Sequence, residues 1–170
     1  MNLIEAIKTR RSIRKFTDTA IEKDLLLELV NAGIWAPSAG NMQAWRFIIV
    51  TDADKIEKIK NLSPGIFGKP KAIIVVSSDF DEATRRSGLQ GERFAIIDAS
   101  MAAENILLAA HDKGLGACVI GSFHALALQK FLNLPPNIKP ILLIILGFPA
   151  EAPKPPKRKS EEVIWWEAYK

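Results

Sequence analysis

One cysteine, two histidines and a single tyrosine serve a chain of 170 residues, and that scarcity removes several kinds of chemistry at once. Cys118 stands alone, so an internal disulfide is impossible and a reducing, cytoplasmic setting is expected. Without a second cysteine at CxxC spacing it reads as a small buried apolar residue. His111 and His124 lack metal-ligand spacing and read as a helix-end and a helix-start residue. There is no Walker loop and no nucleophile elbow. Gly114-Leu115-Gly116 begins like a dinucleotide fingerprint, but it follows a helical pattern rather than a strand, and Val119 occupies the place of the third glycine. Long apolar runs are missing too. The longest, Ile141 to Leu146, is too short to span a bilayer, and Glu5 and Lys8 interrupt the first segment where a signal peptide needs continuity. Acid–base groups this sparse suggest that any chemistry belongs to a cofactor.

What is present is an ordinary globular balance, 48% hydrophobic and 25% charged, enough for one domain with its own core. The net charge of +4 is unevenly placed. Lys8, Arg10, Arg11, Arg14 and Lys15 bunch near one end, and Lys154, Lys157, Arg158 and Lys159 near the other. If the ends meet, they form one compact anion site; a long stripe tracking nucleic acid would need aromatic interleaving that is poor here.

Apolar periodicity predicts helices over Asn2 to Thr9 and Glu22 to Ile34, the second started by a Thr19/Glu22 capping box. A loop covers Ala36 to Ala44. Strands are expected at Trp45 to Val50, Lys71 to Ser77 and Ile141 to Gly147, with a short extended piece at Ala117 to Gly121. Further helices fall at Asp52 to Asn61, Phe94 to His111 and His124 to Leu132. The polar stretch Ser78 to Glu92 reads as a mobile surface segment. Phe94 to His111 is apolar or small on nearly every face, which predicts burial all round and, in so small a chain, a subunit interface. Residues 149–170, with four prolines and then Trp165, Trp166 and Tyr169, form an extended arm expected to grip its own domain or a second subunit. Residues 1–170 are thus one domain with a C-terminal arm.

Four pieces carry candidate chemistry. In Arg10-Arg11-Ser12-Ile13-Arg14-Lys15-Phe16, an extended backbone points Arg10, Ser12 and Arg14 the same way, two guanidinium groups flanking a hydroxyl; a solvated basic loop is the alternative. Ala36-Pro37-Ser38-Ala39-Gly40-Asn41-Met42-Gln43-Ala44-Trp45 combines proline and small residues with the donors and acceptors of Ser38, Asn41 and Gln43; an ordinary helix-to-strand loop is the alternative. Gly114 to Gly121 allows close approach of backbone N–H groups to a flat ring, or is a plain helix C-cap. Leu146-Gly147-Phe148-Pro149 followed by Lys157-Arg158-Lys159 supplies a turn and then cations.

In this order the four pieces resemble the nitroreductase family of FMN-dependent NAD(P)H oxidoreductases, over residues from about 3 to 163. The resemblance implies an α+β fold, a central mixed, mainly antiparallel sheet flanked by helices, in an interlocked homodimer with FMN at the interface. It implies that Arg10 and Arg158 hold the FMN phosphate with Arg11 and Ser12 nearby, Lys157 or Lys159 being able to exchange roles with Arg158. Arg14 would lie by the N1/O2 edge of the ring, and Val119, Ile120 and Gly121 would border it, the Gly121 N–H facing N5. Pro37, Ser38, Ala39, Asn41 and Gln43 would come from the other subunit. Whether Lys69 or Lys71 reaches the ring is left open. Hydride would pass from NADH or NADPH through flavin N5 to a nitroaromatic, quinone or similar small acceptor by a ping-pong mechanism, with no metal, membrane or nucleic acid involved. A reductive dehalogenase or flavin-degrading enzyme on the same fold, and a non-enzymatic basic dimer binding nucleic acid, are the competing readings.

Overall fold

Three of the helices start at a side-chain acceptor, and the strands fill the apolar runs between helices. A computed structural model describes residues 1–169. The elements are α1 (Leu3–Thr9), α2 (Lys23–Ile34), β1 (Trp45–Val50), α3 (Ala53–Asn61), β2 (Ala72–Asp79), α4 (Phe80–Ser87), α5 (Gly91–Asp112), β3 (Gly116–Ile120), α6 (Ala125–Phe131) and β4 (Ile138–Gly147). Asn2, Asp52 and Asp79 cap α1, α3 and α4 by accepting from Glu5, Lys55 and Glu82 N–H at 2.9, 2.9 and 3.0 Å.

The strands pair antiparallel in the order β1-β2-β4-β3. A single bridge, Ser12 with Ala117, runs parallel beyond the β3 edge. Alternation along the central strands divides the core in two. Ala72, Ile74, Val76, Ile144 and Leu146 meet Leu26 and Leu29 of α2 and Ala99, Ala103 and Ile106 of α5. Ile73, Val75, Leu143 and Ile145 meet Ile56 and Ile59 of α3 and Leu128 of α6 on the opposite face. Helices therefore cover both faces, and truncating a fully buried residue such as Leu29 costs about 2–5 kcal/mol.

Several expectations need correction. Ser78 to Glu92 is not a mobile surface segment: β2 runs on to Asp79, α4 buries Phe80 and Ala83, and α5 begins at Gly91. Its polarity belongs to one face of an amphipathic helix. Strand β4 starts at Ile138 rather than Ile141. Pro140 lies inside it at a bulge, where Val76 pairs with Leu142 and Ser77 with Pro140 so that Ile141 is skipped, and a proline without an N–H is tolerated there. The Thr19/Glu22 capping box does not form, since Glu22 makes no side-chain cap hydrogen bond.

Helix α5 is not buried all round within one chain. Ala95, Asp98, Ala99, Ala102, Ala103 and Ile106 face the interior, while Ile96, Ile97 and Met101 lie open. The stretch Phe80–Asp112 is apolar enough to cross a membrane by length and composition, but its packing against α2 and the sheet makes it a core helix. Leu3, Ile4 and Ile7 of α1 are likewise open. Within one chain the arm is held to its own domain only at its start, where Pro149 bridges Phe16 and Ala150 N–H donates to Lys15. Residues 152–169 are exposed throughout, with one 3₁₀ turn at Glu161–Val163 and Trp165 stacked obliquely on Tyr169 at 4.5 Å.

Candidate cofactor site

Two glycines opposite one another in the sheet explain how the N-terminal cations are placed. Gly116 of β3 pairs with Gly147 of β4. A Cβ on Gly116 would lie 2.6 Å from Ile13 Cγ2, and one on Gly147 would lie 2.7 Å from the Phe16 ring. The missing side chains leave a bed on which residues 12–17 lie against the sheet. Ile13 N–H donates to the Ala117 carbonyl at 3.0 Å, Thr17 N–H to Phe148 at 2.9 Å, and Ala150 N–H returns a bond to Lys15 at 2.9 Å. Glu151 closes the arrangement, accepting from the N–H groups of Arg14 and Lys15 at 2.7 and 3.1 Å. The Arg14 amide, then the Lys15 amide and the positive charges of both residues, hold the Glu151 carboxyl below its ordinary range. The start of the C-terminal arm is thereby fixed beside the N-terminal basic segment.

The consequence is a cleft of about 280 Å³ lined by Arg10, Arg11, Ser12, Arg14, Pro153, Lys154, Pro156 and Arg158. Five cations from the two ends of the chain share it, and no acidic side chain lines it. Lys157 and Lys159 do not line it. Lys154, one of the C-terminal cations expected to join such an anion site, does line it. Arg10 is the most enclosed of the set, its side chain 20% exposed. Its nearest acid is Glu104 at 3.7 Å, too far for a hydrogen bond, and its buried Nε has no hydrogen-bond partner. Arg11 is differently occupied, donating to the carbonyls of Lys8 and Arg10 at 2.9 and 2.7 Å. A buried guanidinium N–H without a hydrogen-bond partner, on an arginine that lines an all-cationic cleft, suits a dianionic phosphate. The residues present fit the phosphate end of FMN.

Arg10 and Arg11 also line an adjoining cleft of about 440 Å³ with Thr9, His111 and Leu115. His111 shares a 2.8 Å hydrogen bond with the Thr9 hydroxyl, and burial, then Arg10 and Arg11, depress its pKa. His111 ends α5 and His124 is the N-cap of α6, the structural places expected of them. Cys118 is buried.

Arg14 and Gly121 are joined by the loop of residues 62–71. Gly68, at φ +74°, packs on the Arg14 carbonyl, and Gly65 packs on the Ser122 side chain, one residue past Gly121. Ser63 Oγ donates to the Ser122 carbonyl at 2.7 Å. Gly121 itself is exposed, and a Cβ there would meet nothing within 4 Å. Val119 is 39% exposed, whereas the Ile120 side chain lies in the core and leaves only its backbone available. Gly114, at φ +75°, follows the Lys113 C-cap of α5 in the left-handed conformation that ends a helix, and Gly116 serves packing, which leaves Gly121 as the open glycine of this segment with no such backbone role. Lys71 is paired with Asp18 at 2.9 Å; Lys69 is exposed.

Pro37 to Gln43 do not line the cationic cleft. They form a tight loop around a 3₁₀ turn, Ala39–Asn41. Gly40, Asn41 and Gln43 all have left-handed backbones, at φ 54°, 52° and 53°. Two of them are not glycine, a mild strain that clusters at functional sites. Gln43 N–H donates to Ser38 Oγ at 3.2 Å and Gln43 Nε2 to Asn41 Oδ1 at 3.0 Å. Pro37, Gly40, Asn41 and Gln43 are exposed.

An antiparallel sheet with helices on both faces, and a cationic cleft assembled from both chain ends, define an α+β protein built around a small anionic cofactor. The profile of the Nitroreductase family matches residues 7–65 and 60–148, and the chain belongs to that family. A protein of Methanothermobacter thermautotrophicus provisionally named an NADH dehydrogenase/NAD(P)H nitroreductase is 38% identical over 160 residues, 90% of this chain and 80% of its own length. A solved structure from Clostridium acetobutylicum, provisionally named an NADH oxidase, is 33% identical with a TM-score of 0.86, covering 96% of this chain and 99% of its own. The NADPH:FMN oxidoreductase of Vibrio harveyi, solved with NAD+, is 26% identical with a TM-score of 0.88, covering 98% of this chain and 77% of its own.

Proposed function

We propose that this chain is an FMN-dependent oxidoreductase, working as a soluble, cytoplasmic homodimer, that takes reducing equivalents from NADH or NADPH and passes them to a nitroaromatic, a quinone or a similar small acceptor in a ping-pong cycle. The observation that carries the reading is the acid-free cleft where Arg10, with its orphaned Nε, meets Arg158 from the far end of the chain. Relatives named as FMN reductases and as a NADPH-flavin oxidoreductase support the same cofactor.

Bound FMN supplies the two-electron redox chemistry. The chain's residues do the rest by position. Arg10, Arg158 and Lys154 neutralise the phosphate, with Ser12 able to donate a hydroxyl hydrogen bond and Arg11 adding charge. Arg14 places a fixed cation beside the ring and favours negative charge on it. Val119, Ile120 and Gly121 border the ring, the Gly121 N–H standing in open space as a donor. Pro37, Ser38, Ala39, Asn41 and Gln43 of a second copy close the other side. This division explains why the loop is exposed and absent from the cationic cleft of its own chain. The open apolar surfaces of α1, α5 and the aromatic arm support the same pairing, since solvent-exposed patches of this kind mark protein interfaces. With no acid or base pair at the site, rate depends on juxtaposing donor, ring and acceptor.

Purified protein is expected to be yellow, dimeric by light scattering, and to oxidise NADH or NADPH when given a quinone or nitroaromatic, with parallel double-reciprocal lines. A colourless protein that takes up no FMN in dialysis refutes the proposal. Consumption of the flavin under air, or chloride release from a halogenated aromatic, would replace the acceptor class with one of the same-fold alternatives.

A further inference from the structure

We infer that Asp98, a buried carboxylate on α5, is the positioning residue that sets the Pro37–Gln43 loop and through it the half of the flavin pocket that one chain lends to the other. The inference rests on the proposed flavin function and extends it to a residue outside the cofactor-contacting set.

The geometry is a stripe on one face of α5 beneath the loop. Ala95, Asp98 and Ala102 follow the i, i+3, i+7 spacing of a single helix face. Ala95 shares a core cluster with Met42 and Ala44 at one end of the loop. Ala102 shares another with Ala36 and Trp45, the residues that flank the loop on either side. Between them Asp98 Oδ2 accepts the Ala39 N–H at 3.1 Å. Apolar contacts hold the flanks of the loop only loosely because they have no direction. The Asp98 bond is the directional contact between the loop and α5, and it falls on the first residue of the 3₁₀ turn that carries Gly40 and Asn41 into the left-handed region.

Asp98 is only 4% exposed, and it is the one acidic side chain among the buried polar residues described. No lysine or arginine is paired with it among the described residues. Burial raises its pKa, opposed by the Ala39 amide. An unpaired buried carboxylate is a poor stabiliser, and an alanine would continue the small-residue stripe of Ala95 and Ala102. What the carboxylate adds is an acceptor for an amide that the tight turn leaves without an intraloop partner.

The test measures FMN dissociation constants by fluorescence quenching on dimers of verified mass, alongside amide hydrogen exchange of residues 37–43 in the apoprotein. Asp98→Ala should weaken FMN binding about tenfold and speed exchange in the loop, through the loss of one directional hydrogen bond. Asp98→Asn should restore both, because its amide oxygen accepts the same N–H. Ala39→Pro deletes the donor from the other side. Ser38 is already extended at φ −140°, ψ 152°, as a residue before proline must be, and the first position of a helical turn accepts proline. This variant should reproduce the Asp98→Ala effect and carries the test should Asp98→Ala fail to fold. A wild type that binds no FMN overturns the flavoprotein reading and this inference together. With FMN bound by the wild type, the inference alone is overturned by unchanged loop exchange in the variants, by failure of Asp98→Asn to rescue, or by FMN loss that merely tracks loss of dimer.

Discussion

Removing the phosphate from the ligand and the cations from the protein should have the same effect, and the magnitude can be worked from where each cation sits. Arg10 has a side chain only 20% exposed, with a buried Nε that no protein acceptor satisfies. A bond from it to a phosphate oxygen, as proposed, would be screened little by water, so Arg10→Met should cost about 3 kcal/mol of FMN binding, roughly 150-fold in dissociation constant. Arg158 lies on the exposed arm, where solvent and salt screen it, and Arg158→Ala should cost only about tenfold. The discriminating ligand is riboflavin, which presents the same ring without the phosphate. Fluorescence titration of apoprotein should show riboflavin binding weakly to wild type and unchanged by either substitution, so that the FMN-to-riboflavin ratio collapses in the variants. Added salt should erode the Arg158 contribution before that of Arg10. Parallel loss of riboflavin and FMN would refute the reasoning, because it would mean the arginines shape the ring site or the fold. So would a larger effect at Arg158 than at Arg10.

Further outcomes follow from the glycines and from one acid. Gly116→Ala should destabilise the apoprotein by about 1–3 kcal/mol, read from urea unfolding, since the new methyl would overlap Ile13 and lift residues 12–17 off the sheet. Gly121→Ala should leave unfolding unchanged because its Cβ meets nothing, yet weaken FMN binding about tenfold by crowding the ring. Equal stability losses at the two positions would contradict that division. At Asp79, burial pushes the pKa up but is outweighed by the Glu82 amide, the Asn137 side chain and Arg46, so the net shift is downward. A depressed folded pKa adds stability above the ordinary carboxylate range and loses it as pH falls through the folded value. Asp79→Asn should therefore flatten the acid limb of a thermal-melting profile below about pH 4, the ordinary carboxylate value. An unaltered limb would discount the network.

Most of the sheet and the helices flanking it were legible because period-two and period-3.6 patterns survive wherever one face is buried. The failures share a cause. Ser78 to Glu92 looked like a loop because α4 is short and buries only Phe80 and Ala83, too few apolar residues to announce a period over eight positions. Strand β4 was cut short at Pro140 because a proline inside a strand is admitted only by a bulge, and a bulge is a property of the pairing rather than of either strand. At the site, the sequence displayed charge but not which charges converge. Of the four C-terminal cations, Lys154 and Arg158 line the cleft and Lys157 and Lys159 do not, a selection set by the path of the proline-rich arm and not by any local pattern. Glu151 and Asp98 act on backbone amides far away in sequence, and a carboxylate that caps a distant loop carries no motif.

The cationic cleft exists because of two residues that carry no charge. Arg10 and Arg158 are separated by nearly the whole chain, and flexible basic tails would repel rather than meet. What brings them together is the Gly116–Gly147 pair, which lets Ile13 and Phe16 lie on the sheet, and the Ser12–Ala117 and Phe16–Pro149 bridges that tie both chain ends to the same edge. The hydrophobic contacts of Ile13 and Phe16 thus offset the electrostatic cost of gathering five cations in one place. An anion that binds there relieves that repulsion. Phosphate binding and seating of residues 12–17 are therefore linked: FMN should raise the melting temperature of wild type, and in a Gly116→Ala chain that still folds the same ligand concentration should raise it less, because the substitution separates the cations from the sheet that aligns them.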